Sequence, residues 1–263
     1  MKLSKSILNM KNNYLVIFIT LFFLTACNST KNTTSSSAQL SPAEMVLQKA
    51  VEAHGGAKYQ TAHYSFTFRD KNYTFKNNKD QFRYSVTSKK DGKEIVDILE
   101  NGNLKRNVDG AEVQLSEKEK GRYSGGLNSV IYFATLPYKL QDKAVKKSYQ
   151  GTTTIKGKTY EILEIRFEQE GGGRDHDDVF HYWINQESNV IDYLAYNYQV
   201  NGGGVRLRSA YNSRNIGGII FQDYVNYKAD IGTPLGDLPK LLEQGKLKEL
   251  SRIETENVVQ LKK

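Results

Sequence analysis

The 263-residue chain has little of several residue types, and each shortage excludes a class of structure. One cysteine and four prolines exclude a disulfide framework, a cysteine-rich metal site and a proline-rich chain. Only one long apolar run occurs, at 14–24, so at most one segment could approach the length of a membrane span. The catalytic motifs G-x-S-x-G and H-E-x-x-H are absent, which favours a non-catalytic protein. The remaining composition, 38% hydrophobic and 11% aromatic, is typical of a folded domain.

The apolar run follows a basic segment, in the order typical of a secretory leader. Lys2, Lys5 and Lys11 precede the run, and no acidic residue does. A basic segment followed by an apolar core of about 7–15 residues is characteristic of a signal peptide. The next residues are Leu-Thr-Ala-Cys27, which resemble the bacterial lipobox, where the cysteine receives a diacylglyceryl group and the leader is cut just before it. We therefore expect residues 1–26 to be a lipoprotein signal peptide.

Cys27 is the predicted lipidation site, and its acyl lipid is the only attached group that we expect, with no other cofactor. Residues 27–40 are rich in Ser, Thr and Asn, which predicts a flexible tether between the lipid anchor and a single domain at 41–263. Loss of residues 1–26 removes three of 37 basic residues and none of 29 acidic ones, so the net charge becomes +5. This mild excess does not indicate a nucleic-acid partner. The expected partner is a membrane of the bacterial cell envelope, inner or outer, with the domain facing the periplasm.

The patterning of the domain predicts a mainly β fold that begins with a helix. Ser41-Pro-Ala-Glu44 is a capping box, and Gly55-Gly56 is a typical helix stop, with His54 as a cationic last-turn residue. From Ala62 onward apolar residues alternate with polar ones, and Asn-Gly or Asp-Gly pairs punctuate the chain, which indicates antiparallel hairpins. The pattern predicts about a dozen strands, including separate strands at 143–149 and 151–156. That many strands favour a curled sheet or barrel, because open sheets rarely exceed about ten strands without curling.

A helix interrupts the strand pattern at 127–136 and ends before Pro137. Its apolar residues recur at helical spacing, and an apolar helix within a meander is well placed to cover a curled sheet. Near the C-terminus, 235–250 has the pattern of one or two short helices, and 253–261 that of a last strand.

Several motifs resemble those of an uncharacterised family of Bacteroidota-type lipoproteins over about 45–260. The motifs that carry the resemblance are His54-Gly-Gly, Tyr64-x-Phe-x-Phe68-Arg69, Asn128-Ser-Val-x-Tyr-Phe-x-x-Leu-Pro137 and Asp178-x-Phe-x-Tyr-Trp-Ile184. That family is similar to the LolA/LolB-like lipoprotein carriers. The resemblance implies an antiparallel meander curled into a half-open LolA-like barrel with an N-terminal helix and a cover helix. It also implies a hydrophobic ligand, a lipid or an acyl chain, that is bound without catalysis.

Aromatic and aliphatic side chains on the strand faces and on the cover helix are the candidate ligand-binding residues. Because a barrel of this size is either filled by side chains or holds a ligand, the sequence is compatible with a packed core and with a cavity. The candidates are Tyr64, Phe66, Phe68, Phe82, Tyr84, Val130, Ile131, Tyr132, Phe133 and Tyr182.

One polar segment supports an alternative function. Asp175, His176, Asp177 and His181 are residue types that bind divalent ions, so a metal-assisted hydrolase is a competing hypothesis. Two-residue repeats along a strand span about 6.6 Å, however, which would place Asp177 and His181 too far apart to share an ion directly. A polar hairpin loop is the simpler interpretation. A third hypothesis, an envelope scaffold with a protein partner, would require an exposed apolar patch.

Overall fold

Antiparallel strands form most of the part of the chain that the structure describes. This computed structural model describes residues 40–168, 177–199 and 202–262, and Leu40–Lys263 forms one compact unit. The predicted signal peptide, Cys27 and all of the predicted tether except Leu40 lie outside the described residues.

The element bounds follow the order of the chain. The α-helices are α1 (Pro42–His54), α2 (Glu117–Ala134) and α3 (Leu238–Glu243). The strands are β1 (His63–Phe68), β2 (Lys71–Asn78), β3 (Gln81–Lys90), β4 (Lys93–Glu100), β5 (Asn103–Val108), β6 (Ala111–Val113), β7 (Val145–Ile155), β8 (Lys158–Phe167), β9 (Val179–Asn185), β10 (Ile191–Tyr198), β11 (Gly204–Ile216), β12 (Ile219–Ala229), β13 (Lys248–Ile253) and β14 (Glu256–Gln260).

The strands form two sheets of seven, and neither sheet closes on itself. Sheet A has the order β14-β1-β2-β3-β4-β5-β6, and sheet B has the order β13-β12-β11-β10-β9-β8-β7. β13 and β14 are consecutive in the chain but belong to different sheets, so the chain crosses from one sheet to the other at Glu254-Thr255. The predicted mainly β antiparallel meander with few helices is confirmed.

A buried carboxylate joins the elements at this crossing. Asp223 of β12 is 3% exposed and accepts hydrogen bonds from Arg214 at 2.6 and 2.9 Å. It also accepts from the Asn212 side chain at 2.6 Å and from the backbone N–H of Thr255 at 2.9 Å. Burial alone would raise the pKa of this carboxyl, but its donors, led by Arg214, hold the pKa below its usual value. The ionised carboxylate therefore links β11, β12 and the start of β14.

α1 packs on one face of sheet B, which we call the inner face of that sheet. The Ser41 capping box is present, with the Glu44 carboxylate bonded to the Ser41 backbone N–H at 2.8 Å. Leu47 and Val51 are buried in the cluster that includes Leu163 and Leu194 of the sheet. The helix stop is confirmed, because Gly55 follows α1 with a φ of 144°.

α2 lies between β6 and β7 in the chain and packs on the face of sheet A that we call its inner face. The predicted helix began at 127, whereas α2 begins ten residues earlier, where Ser116 and Glu119 form a second capping box. Leu127 and Ile131 are its fully buried residues. They lie in the same cluster as Tyr84 and Leu99 of sheet A.

Two predicted segments differ from the structure. The strands expected at 143–149 and 151–156 form the single strand β7, because a bulge between Tyr149 and Thr152 absorbs the irregular step. The helical pattern expected over 235–250 ends early, since 248–253 pairs with β12 as β13. The outer face of sheet B is covered by Leu235 and Leu238, which pack with Trp183.

Candidate functional site

Aromatic side chains fill the inner face of sheet A. Tyr64, Phe66, Phe75 and Tyr84 are each at most 2% exposed. The rings of Tyr64 and Phe75 stack with centroids 5.5 Å apart. The alternation of strand side chains places residues two apart on the same face, so this aromatic surface follows directly from the period-two pattern in β1 and β3.

The inner face of sheet B carries a second aromatic group, which meets the end of α2. Phe180 and Tyr196 stack with centroids 5.4 Å apart, and Tyr182 is fully buried. From α2, the Tyr132 ring packs edge-on against Phe167 of β8, at 6.1 Å. The C-terminal turn of α2 therefore reaches sheet B, although the helix lies mainly on sheet A.

All ten candidate ligand-binding residues belong to these two inner clusters. Seven lie with sheet A and three with sheet B. Those with sheet A are Tyr64, Phe66, Phe68, Phe82, Tyr84, Val130 and Ile131. Those with sheet B are Tyr132, Phe133 and Tyr182. In this structure these side chains pack against one another. Two surface depressions, of about 360 Å³ around Arg83 and Lys105 and about 410 Å³ around Arg214 and Asp223, lie elsewhere.

The two inner faces contain hydroxyl groups with no hydrogen-bond partner among the described residues. They are the buried phenol groups of Tyr59, Tyr84, Tyr132 and Tyr182. Burial raises the pKa of each of them, so each stays protonated as a donor. A buried polar group without a partner costs about 1–3 kcal/mol, and buried tyrosines normally place the hydroxyl against an acceptor. Each of these hydroxyls is therefore a donor that no described protein acceptor satisfies.

Arg208 of β11 is a residue that the sequence interpretation did not single out. Its guanidinium lies 4.1 Å above the ring of Phe133 and donates to the Tyr196 hydroxyl at 3.1 Å. Its Nε atom is buried without a partner. The signal was available in the sequence, because Arg206 and Arg208 occupy alternate positions of a strand whose intervening residues, Val205 and Leu207, are apolar. The face of that strand that carries Arg206 and Arg208 is partly buried, which the sequence did not reveal.

α2 is attached to both sheets through stacked cations. On sheet A, the Arg106 guanidinium lies 3.4 Å above the ring of Tyr123 and donates to both oxygens of Asp97, at 2.6 and 2.7 Å. On sheet B, the corresponding contact is that of Phe133 with Arg208 at 4.1 Å. In the stretch of α2 between these two contacts, only two side chains are fully buried. These contacts make α2 a cover that spans the two inner faces.

His54 differs from the sequence expectation. The pattern predicted a cation at the end of α1, but the side chain is 1% exposed, and burial lowers its pKa to about 4. The imidazole is therefore neutral, and its Nε2 atom accepts a hydrogen bond from the backbone N–H of Ile191 at 3.1 Å. His54 joins α1 to sheet B and does not compensate the helix dipole.

The residues of the hydrolase hypothesis are only partly described. Asp175 and His176 lie outside the described residues, whereas Asp177 precedes β9. His181 lies on the outer face of sheet B, where its Nε2 atom is 3.3 Å from the carboxylate of Glu164 and its ring is edge-on to Trp183. Burial lowers the pKa of His181, while Glu164 acts in the opposite direction. Within 40–168, 177–199 and 202–262, no group of three His, Cys, Asp or Glu side chains could hold a metal ion.

The exposed apolar residues bear on the scaffold hypothesis, and the length and polarity of the helices bear on a membrane span. Large apolar residues that are exposed occur at scattered positions, namely Leu40, Met45, Tyr149, Ile231, Leu250 and Val259. In the described part of the chain, helices are too short or too polar to cross a membrane.

Comparisons with known proteins place the chain in a family. Solved structures with a similar fold include a LolA superfamily protein from Nitrosomonas europaea, with a TM-score of 0.49 at 11% identity over 85% of this chain and 95% of that one. A DUF1329 family protein from Desulfovibrio piger has a TM-score of 0.42 at 13% identity over 84% and 94%. A putative outer membrane lipoprotein-sorting protein domain from Vibrio parahaemolyticus has 0.39 at 10% over 76% and 98%. These similarities concern the outline of the fold.

No curated protein matches the sequence. A family model matches residues 17–255, which is most of the chain. The chain therefore belongs to the family of unknown function DUF6503.

Proposed function

We propose that this protein is a lipid-anchored protein of the bacterial envelope that binds a hydrophobic ligand, a lipid or an acyl chain, between the inner faces of its two sheets. It binds without catalysis, and α2 acts as the cover of the site. The anchor is the acyl group on Cys27, and the tether at 27–40 holds the domain on the periplasmic side of the membrane. The proposal for the anchor rests on the leader and lipobox pattern of residues 1–27.

The observation that carries the ligand proposal is the set of unpartnered hydroxyls inside an aromatic interior. Tyr84, Tyr132 and Tyr182 lie under α2 or on it, and each hydroxyl is buried without a partner among the described residues. A core that served only stability would be expected to satisfy or omit these groups, because each costs about 1–3 kcal/mol. An amphiphilic ligand would supply apolar surface to the rings and acceptors to the hydroxyls.

A ligand can enter only if the cover moves, and α2 has the features of a weakly held helix. It contains Gly121, Gly125 and Gly126, and each glycine in a helix interior costs about 0.5–1 kcal/mol relative to alanine. Apart from the adjacent residues and the backbone of α2 itself, none of the three has an atom within 4 Å of the position where a Cβ would stand. Close packing therefore does not require glycine at these sites, and their effect is to lower the stability of the cover.

The direct test is native mass spectrometry with lipid extraction on the full chain carrying Cys27→Ser, purified without detergent. The substitution prevents acylation and changes no described residue. We expect a co-purifying lipid or acyl chain at close to one molecule per protein. A clean protein mass, together with no uptake of added laurate, would refute ligand binding. In a separate labelling experiment, wild-type protein expressed with radiolabelled palmitate should carry the label and the Cys27→Ser variant should not.

A matched pair of variants tests the position of the site. Tyr132→Ala removes a ring that packs against Phe167 under the cover, whereas Tyr149→Ala removes an exposed ring on β7. Loss of a buried aromatic contact of about 1.5–3 kcal/mol corresponds to a roughly 10- to 100-fold weaker affinity. We expect Tyr132→Ala to weaken binding of the neutral probe N-phenyl-1-naphthylamine by that factor and Tyr149→Ala to leave it unchanged within about twofold. Equal effects of the two variants would place the site elsewhere.

A further inference from the structure

Arg208 is a cation on the inner face of sheet B that no carboxylate neutralises within the described part of the chain. Its guanidinium contacts the Phe133 and Tyr196 rings and donates to the Tyr196 hydroxyl. Arg106 and Arg214, by contrast, pair with Asp97 and Asp223. A partly buried charge without a counterion is unfavourable. Among the described arginines, only Arg208 has a buried guanidinium nitrogen without a hydrogen-bond partner.

The register of sheet B places other unpartnered polar atoms beside Arg208. Across the strands, Arg208 pairs with Leu194, and Leu194 pairs with Tyr182. On the other side, Arg208 pairs with Asn226 of β12. Residues paired in this way share one face of the sheet. Tyr182, Arg208 and Asn226 therefore form one row on the inner face, and the Tyr182 hydroxyl, the Arg208 Nε and the Asn226 Oδ1 are all buried without a partner.

Two further hydroxyls face the same row. Burial raises the pKa of Tyr132, and Tyr182 contributes to the same shift, so the phenol of α2 lies close to that of β9. Burial also raises the pKa of Tyr224, and the Arg208 charge acts in the opposite direction on both Tyr224 and Tyr182. The guanidinium is therefore near these hydroxyls in space. Together they provide a cation and several O–H donors at the base of an aromatic surface.

From this arrangement, which rests on the proposed function, we propose that the Arg208 row binds the anionic head group of an amphiphile. The ligand would be a carboxylate or a phosphate attached to an alkyl chain. A guanidinium donates two parallel hydrogen bonds to such a group, and the phenols of Tyr132 and Tyr182 add neutral donors. The alkyl chain lies against Phe133 and Phe180, which flank the row in the same cluster.

The test measures displacement of the neutral probe N-phenyl-1-naphthylamine from the full chain carrying Cys27→Ser. Three competitors share a twelve-carbon chain: laurate, dodecyl phosphate and 1-dodecanol. Charge-assisted hydrogen bonds of the kind proposed correspond to an affinity gain of about 10- to 100-fold. We expect laurate and dodecyl phosphate to displace the probe at concentrations at least tenfold lower than 1-dodecanol. Acetate and inorganic phosphate, which carry the head group alone, should not displace it at those concentrations.

Matched variants assign the effect to Arg208. Arg208→Met keeps an extended side chain against Phe133 but removes the charge, and it should abolish the preference for the charged competitors. Arg206→Met is the control, because Arg206 lies on the same face of the same strand and donates to Val205 and Tyr198. That variant should keep the preference. If Arg208→Met does not fold, Asn226→Asp places a carboxylate opposite Arg208, and it should lower laurate affinity at least tenfold while leaving 1-dodecanol unchanged.

The outcomes separate the head-group site from the proposed function. Equal displacement by the charged and neutral competitors, or equal losses for all three in Arg208→Met, would overturn the head-group site while leaving ligand binding in place. Displacement by acetate or inorganic phosphate at the same concentrations would overturn it in favour of a site for free anions. No displacement by any twelve-carbon compound would overturn both proposals.

Discussion

Acidification should destabilise this protein through His54, because its imidazole is buried as a neutral base. The folded-state pKa is about 4, against 6.5 for the exposed group. Above about pH 6.5 the side chain is neutral in both states and contributes no pH dependence. Between about pH 6.5 and 4 the unfolded chain binds a proton that the folded chain does not, so the free energy of unfolding falls as the pH falls.

The magnitude follows from the two pKa values. Each unit of difference corresponds to about 1.4 kcal/mol, so the two pKa values correspond to a total loss of roughly 3 kcal/mol, which is complete only below about pH 4. About 2 kcal/mol of this is lost by pH 5. The hydrogen bond from the Ile191 N–H to Nε2 disappears on protonation, since both ring nitrogens then carry protons. This gives the loss a structural cause in addition to burial.

The assay is urea unfolding of wild-type protein and of His54→Gln at half-unit intervals from pH 7.5 to pH 4.5. The glutamine side chain offers an oxygen to the Ile191 N–H but does not titrate. The carboxylates contribute equally to both proteins, so the difference between the two curves isolates His54. Parallel curves throughout this range would show that the pKa of His54 is the same in the folded and unfolded states, and would refute the assignment of an imidazole that burial keeps neutral.

Three further predictions concern stability. Asp223→Asn should lower the free energy of unfolding by about 3–5 kcal/mol at pH 7, because it leaves the partly buried Arg214 without its buried counterion; a loss below 1 kcal/mol in urea unfolding would contradict this role. The Gly125→Ala and Gly126→Ala variants should each raise stability by about 0.5–1 kcal/mol and slow uptake of N-phenyl-1-naphthylamine in stopped-flow fluorescence, and faster uptake would exclude α2 as the cover. Tyr182→Phe should raise the free energy of unfolding by about 1 kcal/mol, since its hydroxyl is unpartnered, whereas Tyr160→Phe should lower it by a similar amount, since that hydroxyl donates to Asp192 at 3.0 Å. The reverse result in thermal denaturation, with Tyr182→Phe less stable and Tyr160→Phe more stable than the wild-type protein, would contradict the hydrogen-bond assignments.

The sequence predicted the strand architecture well because local signals and tertiary structure agree there. Alternation in β1 and β3 places Tyr64, Phe66 and Tyr84 on an inner face, and the hairpin turns set the order of neighbouring strands. The division into two sheets was not predictable. It depends on Glu254-Thr255 leaving one sheet and entering the other, and on Asp223, whose partners at Arg214 and Thr255 are set by tertiary contacts alone.

The start of α2 shows where local signals were present but conflicted. Ser116 and Glu119 form a capping box in the structure, and this spacing is visible in the sequence. The glycines that follow, at 121, 125 and 126, have low helix propensity, so apolar periodicity alone placed the start at 127. Contacts such as that of Tyr123 with Arg106 hold the glycine-rich turns in place, and no sequence pattern records them.

The candidate site was predictable in its apolar part and not in its polar part. The aromatic residues follow from strand periodicity, whereas Arg208 reads as an ordinary exposed residue of a half-polar strand. Only the pairing of β9 through β12 shows that Tyr182, Arg208 and Asn226 share one row. His54 illustrates the same limit, because its burial depends on sheet B and removes the positive charge expected at a helix end.

Unpartnered polar groups and helix-weakening glycines occur close together, in α2 and under its C-terminal turn. The unpartnered groups of Tyr132, Tyr182 and Arg208 lie under the C-terminal turn of α2 or on it, and the glycines that weaken α2 lie one to three turns earlier. Unpartnered buried atoms occur elsewhere as well, at Tyr59 and His181 for example, whereas Asp223 and Asn77 are bonded. Local and global preferences generally agree in a natural sequence, and disagreement concentrates where function requires it. A cover of low intrinsic stability over donors without acceptors is the arrangement expected of a binding site in its closed form, because binding then recovers the free energy that the interior lacks.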